Sequence, residues 1–286
     1  MGQEIRRSVR AKKEGAMTLR IVLYCLLGGL SVCIAAMGAG HFVWWWLSGI
    51  VLAAGLVPVA RFGPQDALGQ FGAILSLLVI VGSVCTISEA VIFVPSQKEL
   101  AARDLVGSIV MNLIAAAVLT LLAKLLKLTE PATSMPAHRP PTIAAVMVWL
   151  SGIAYVVYYL ISGSITYQFF TRQYYPDAPR MVAELGWWFW AIELARGILM
   201  TLAVVPIIYT LRMRRWHAAL AVGAMLWISG GASPLLIPNE LMTPVQRCIH
   251  IVEILTQNAP LGITAVLLLR PRSTKVSGLL QPAASR

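Results

Sequence analysis

Residues 71–93 read FGAILSLLVIVGSVCTISEAVIF, an apolar run that carries one charge, Glu89. At 1.5 Å per residue, about 20 apolar residues in a helix cross a hydrocarbon core of roughly 30 Å. The stretch therefore predicts a membrane-spanning helix. Working outward from it, the same pattern recurs, giving eight spans at about 19–38, 42–60, 71–93, 105–126, 142–163, 187–211, 217–237 and 246–269. The fold class expected is an all-α integral membrane protein, a bundle of about eight transmembrane helices. Composition agrees: 58% of residues are hydrophobic, 12% are charged and mean hydropathy is +0.75, whereas about 25% charged is usual in soluble domains. No connecting segment is long enough to hold a folded soluble domain. The chain thus divides into a basic amino-terminal tail (1–18), one polytopic membrane domain (19–269) and a basic carboxy-terminal tail (270–286).

A net charge of +11 raises the question of nucleic acid, and the distribution of the charge argues against it. With the amino terminus inside, most Lys and Arg residues fall in the tails, the Arg61 loop, the segment holding Lys124, Lys127 and Arg139, and the Arg212–Arg215 loop, all on the cytoplasmic side. Lys98, Arg103, Arg172, Arg180 and Arg247 fall outside, and Arg196 is embedded. This is the positive-inside pattern. Both termini are expected in the cytoplasm, with the lipid bilayer, here a bacterial inner membrane, as the partner. Trp44, Trp45 and Trp46, and Trp187, Trp188 and Trp190, open the second and sixth spans at the outer interface, where indole rings anchor helices. The first apolar run exceeds the 7–15 residues of a signal-peptide core and reads as a retained helix.

Between the fourth and fifth spans, Pro131, Pro136, Pro140 and Pro141 mark a cytoplasmic linker over about 129–141. It separates four helices from four. Because both sets begin inside, a duplication would be parallel, yet the sequence shows no convincing residue-for-residue repeat. The outer segment 171–186, with Tyr174, Tyr175, Pro176 and Pro179, reads either as a structured cap or as a plain connector. The segment holding Lys98, Glu99, Arg103 and Asp104 reads as a short surface helix. Cys25, Cys33, Cys85 and Cys248 have no zinc-like spacing and read as small buried hydrophobes.

Function must come from polar groups held in the apolar spans, because ionisable groups there cost about 2.5–3.5 kcal/mol on insertion scales. Gln246, His250, Glu253 and Gln257 follow a 4, 3, 4 spacing and share one face of the eighth span, with Arg247 and Asn258 beside them. Glu193 and Arg196 are one turn apart on the sixth. Glu89 ends a polar patch on the third, Asn112 lies on the fourth, and Tyr167 follows the fifth. Given the alternating directions, all of these fall in one outer-leaflet layer.

The candidate ligand-binding set is therefore Glu89, Asn112, Tyr167, Glu193, Arg196, Arg247, His250, Glu253, Gln257 and Asn258. Three carboxylates against one arginine leave an excess of negative charge, which favours a proton, a cation or a small polar solute as ligand and suggests transport. Glu253 and Glu89 would be the acid groups, His250 the proton partner, and Arg196–Glu193 an orienting pair. A membrane-embedded hydrolase or transferase using Glu253 and His250 is the enzyme alternative. A structural or assembly subunit, whose polar layer only fixes helix register, is the third. No H-E-x-x-H helix and no second embedded histidine is present, so neither a metal centre nor a cofactor is expected.

Overall fold

Apolar segments of this length can satisfy their backbone polar groups only within themselves, as helices. The computed structural model describes residues 2–36, 40–93, 98–131, 135–137, 139–239 and 242–271. Among these it is helical with no named strand, and it contains eight helices long and apolar enough to cross a membrane. The first two spans are α1 (Gly2–Ala35) and α2 (Phe42–Phe62). The third joins α3 (Ala67–Leu77) to α4 (Thr86–Phe93) through a π-helical segment, Leu78–Cys85. The fourth is α5 (Lys98–Leu125). The fifth is α6 (Pro141–Thr166) with a π-helical turn, Tyr167–Thr171, that carries it well past the expected end at 163. A short helix, α7 (Ala178–Leu185), precedes the sixth span, α8 (Trp187–Thr210). The seventh joins α9 (Arg215–Trp227) to α10 (Ser233–Leu236) through a second π segment, Ile228–Ala232, and the eighth is α11 (Pro244–Leu269).

Two expectations change. The amino-terminal tail continues α1 rather than preceding it. The segment around Lys98 and Arg103 is the first part of α5, not a separate helix; its side chains, like the carboxy-terminal tail beyond residue 271, lie outside the described residues.

The basic residues of one end do more than set charge. The last carbonyls of a helix lack partners within it and attract cations. Arg212 Nε donates to Phe62 O at the end of α2 (3.2 Å), and Arg270 Nε donates to Ile208 O near the end of α8 (2.7 Å). Arg139 Nε donates to Leu268 O at the end of α11 (2.6 Å). At this end the arginines lock helix termini to one another.

The neighbours of the first four spans recur among the last four. α1 packs on α2 and α5, as α6 packs on α8 and α11; α3 packs on α5, as α9 packs on α11. Across the divide, α2 lies against α9 and α10, and α8 lies against α3 and its π segment. The two long-span π segments meet each other. Apart from the contact of α2 with α10, exchanging the halves leaves this pattern in place, an approximate two-fold relation centred on the meeting of the π segments.

The registers agree residue by residue. Gly49 and Pro58 of α2 match Gly197 and Pro206 of α8, and every buried residue of α2, from Ser48 to Ala60, has a buried counterpart at the same spacing. Leu78, Ile80 and Gly82 match Leu226, Ile228 and Gly230 at that spacing too. A Cβ added at Gly29 would meet Ile50 Cγ1 at 2.6 Å, and one added at Gly152 would meet Ile198 Cγ1 at 2.6 Å. Asn112 Nδ2 donates to Leu78 O (3.0 Å), and Asn258 Nδ2 donates to Leu226 O (3.2 Å). Lys124 donates to Gln65 O where Arg270 Nη1 donates to Met213 O. The fold is a parallel repeat of four helices.

Candidate functional site

Arg196 is the centre of the charged layer. It projects from α8, one turn after Glu193, so that Nη1 donates to both oxygens of Glu193 at 2.9 and 2.7 Å. Its Nη2 reaches across to the third span and donates to Glu89 Oε2 at 2.8 Å. Glu193 is fully buried and Arg196 is nearly so. Their surroundings are aromatic, with the guanidinium carbon 5.9 Å from the ring centroids of both Tyr155 and Tyr159 on α6. Ring faces attract a cation most when it is desolvated. Two carboxylates on one guanidinium leave a formal −1 in this cluster.

A second chain of groups runs along α11. His250 Nδ1 and Glu253 Oε2 are 2.8 Å apart, and Gln257 Nε2 donates to Glu253 Oε1 at 3.3 Å. His250 Nε2 lies 3.3 Å from the Tyr175 hydroxyl, which accepts from Gln246 Nε2 at 3.4 Å. Gln246 is itself fixed by a capping box with Thr243 at the start of α11. That box satisfies helix donors that would otherwise be orphaned. The sequence Gln246, Tyr175, His250, Glu253, Gln257 is thus one hydrogen-bonded line from the helix end inward. Burial, reinforced by the nearby carboxylates of Glu253 and Glu89, pushes the Tyr175 phenol up, so it stays neutral.

The two clusters border one cavity. Glu89, Arg196, Gln257 and Asn258 line it, together with Cys85 and Thr86. It measures about 10 Å³, room for roughly one water. A much larger groove of about 600 Å³ lies between α6 and α11, with Glu253 among its lining residues.

The sequence-based set therefore divides. Glu89, Glu193 and Arg196 come together as a triad, His250, Glu253 and Gln257 form the adjacent line, and Asn258 lines the cavity between them. Asn112 does not join them: its amide also donates to Ser83 Oγ at 2.8 Å and holds the π segment of the third span. Arg247 donates to Leu236 O at 3.4 Å, which ties α11 to α10. Tyr167 opens the π-helical turn after α6 and lines neither cavity. Sequence reasoning passed over Tyr155 and Tyr159, whose neighbours in sequence are apolar, and left Tyr175 in a loop with two readings. Among the described residues, no three of His, Cys, Asp and Glu converge as a metal ion would need. Comparison with protein-family models, with curated proteins and with solved structures finds no match.

Proposed function

We propose that this chain is a multi-pass membrane protein whose polar layer binds a proton or a cation, with Glu253 and Glu89 as the acid groups, His250 as the proton partner, and Arg196–Glu193 holding Glu89 in place. The observation that carries this reading is the internal symmetry. The counterpart of Arg196 in the first half is Ser48, that of Cys85 is Ser233, and those of Glu193 and Glu89 are Trp45 and Ile237. There the same helix junction is held by uncharged groups, with Ser48 Oγ at 2.8 Å from both the Ser233 carbonyl and Ser233 Oγ. Helix packing at this position does not need charge. Buried charge is expensive and is retained in membranes chiefly for ions, protons or substrates. Parallel repeats about an axis along the membrane normal are also one architecture of secondary transporters, and that supports transport over a structural subunit.

The excess of two carboxylates favours a positive ligand: the water-sized cavity between the clusters has room for a proton on a single water, while Glu253, which lines the larger groove, can meet a small organic cation. Removing the Glu253 charge should weaken tetramethylammonium binding by about tenfold or more, since about 1.4 kcal/mol of lost carboxylate–cation attraction is already a factor of ten. Binding to the wild type should fall as the medium is acidified, because protons compete for the same carboxylates. Calorimetric titration of the purified protein between acid and neutral pH measures both. Unchanged binding in Glu253→Gln at every pH would sink the assignment.

We infer further that the arginine-rich end faces the cytoplasm of a bacterial inner membrane, by the positive-inside rule. A compartment-sensitive reporter fused near Arg139 should then report cytoplasm, and one near Asp177 the outside. The opposite pattern would place the polar layer in the inner leaflet.

A further inference from the structure

We propose that the cation bound at Glu253 is a lipophilic one that enters sideways, from the membrane, through the groove between α6 and α11; this rests on the reading of Glu253 as a cation site. The groove, at about 600 Å³, lies within the roughly 300–1,000 Å³ usual for small-molecule sites. Its mouth is apolar: Ile165, Phe170 and Val252 line it and each is more than half exposed. Its surface is apolar almost throughout, and its lining includes the polar residues Ser162, Thr166, Thr256 and Glu253, the last the one carboxylate there. Ser162 and Thr256 bond each other across the helix junction, so these two hydroxyls are already satisfied and Glu253 supplies the charge.

Three features select the occupant. An apolar mouth on the outside of a membrane bundle admits a body that partitions into lipid. A carboxylate among the lining residues attracts positive charge and repels negative charge. The same carboxylate sits between His250 and Gln257 in the hydrogen-bonded line, so a cation arriving from the groove meets a group already coupled to the histidine. The position equivalent to Glu253 in the first half is Gly107, where no side chain can supply a charge. The carboxylate therefore has no counterpart in the first half. A hydrophobic body with a delocalised or shielded charge fits; a free inorganic ion does not use the mouth at all.

Binding of tetraphenylphosphonium, tetramethylammonium and tetraphenylborate to the full-length protein in phosphatidylcholine nanodiscs tests this, each read as saturable binding above protein-free discs. Tetraphenylphosphonium should bind about tenfold or more tighter than tetramethylammonium, reflecting the apolar area it buries, and the equally bulky anion tetraphenylborate should not bind. Ile165→Trp, which fills the mouth from α6, should weaken tetraphenylphosphonium about tenfold and leave tetramethylammonium unchanged. Val252→Trp fills it from α11 and should do the same if the first variant does not fold. Glu253→Gln should weaken both cations. If both tryptophan variants bind tetraphenylphosphonium as the wild type does while Glu253→Gln loses it, the groove holds bilayer lipid only and the lateral route is overturned, with the cation site intact. If Glu253→Gln binds both cations normally, the site and the route fall together. Equal binding of tetraphenylborate overturns the cation preference.

Discussion

Arg196→Ala should destabilise the bundle by about 3–5 kcal/mol, the usual consequence of stripping one partner from a buried ion pair. The expectation rests on what remains behind. Glu193 is fully buried on the same helix, and both its oxygens accept from the Arg196 guanidinium. Glu89 on the third span accepts from the other terminal nitrogen. With Arg196 gone, two carboxylates face one another across the junction of α8 with the third span, and the rings of Tyr155 and Tyr159 lose the cation between them. A denaturant titration of the purified protein measures the loss. Arg180→Ala serves as the control: Arg180 pairs with Glu184 at i,i+4 on α7, but both side chains are largely exposed, and such pairs contribute little. No measurable change is expected there. A loss as small for Arg196→Ala as for the control would mean that the triad is hydrated and not a buried cluster.

How far the sequence reached depended on the distance over which each feature is encoded. Periodicity is local, so the spans and the face carrying His250, Glu253 and Gln257 could be read from spacing alone, and the structure places these three in one hydrogen-bonded line. The pairing of Glu193 with Arg196 was legible for the same reason. The bond from Arg196 to Glu89 was not, because spacing within helices does not say which helices are neighbours. Depth arguments placed Asn112 and Arg247 in the same layer as the acids. Depth is one coordinate, however, and both turn away to satisfy backbone carbonyls. Hydropathy is blind to the π segments, whose wider turns leave composition unchanged; that is why the service of Asn112 and Asn258 to the carbonyls of Leu78 and Leu226 could not be foreseen, although Asn258 also lines the cavity.

The repeat was hidden for a different reason. What persists between the halves is burial and backbone geometry: Gly49 with Gly197, Pro58 with Pro206, Asn112 with Asn258. At the positions that bear on chemistry the halves diverge, serine against arginine at 48 and 196, tryptophan against glutamate at 45 and 193. Side-chain identity is the wrong quantity to compare when one copy of a junction is charged and the other is held by hydroxyls.

That divergence implies that the charged layer serves a ligand and is separable from the fold. The triple variant Glu89→Gln/Glu193→Gln/Arg196→Met removes all three charges of the triad at once, leaving no unpaired ion. Neutral replacement of a buried ion cluster is often tolerated or even stabilising, by about 1–4 kcal/mol in favourable cases, and the Ser48–Ser233 junction is a neutral counterpart within this chain. The most direct measurement is denaturant stability and tetramethylammonium binding on the same preparation of this variant. Stability near that of the wild type, well above Arg196→Ala, is expected, with binding weakened about tenfold or more by the loss of negative charge near Glu253. A variant as unstable as Arg196→Ala, or one that binds the cation as tightly as the wild type, would contradict this expectation.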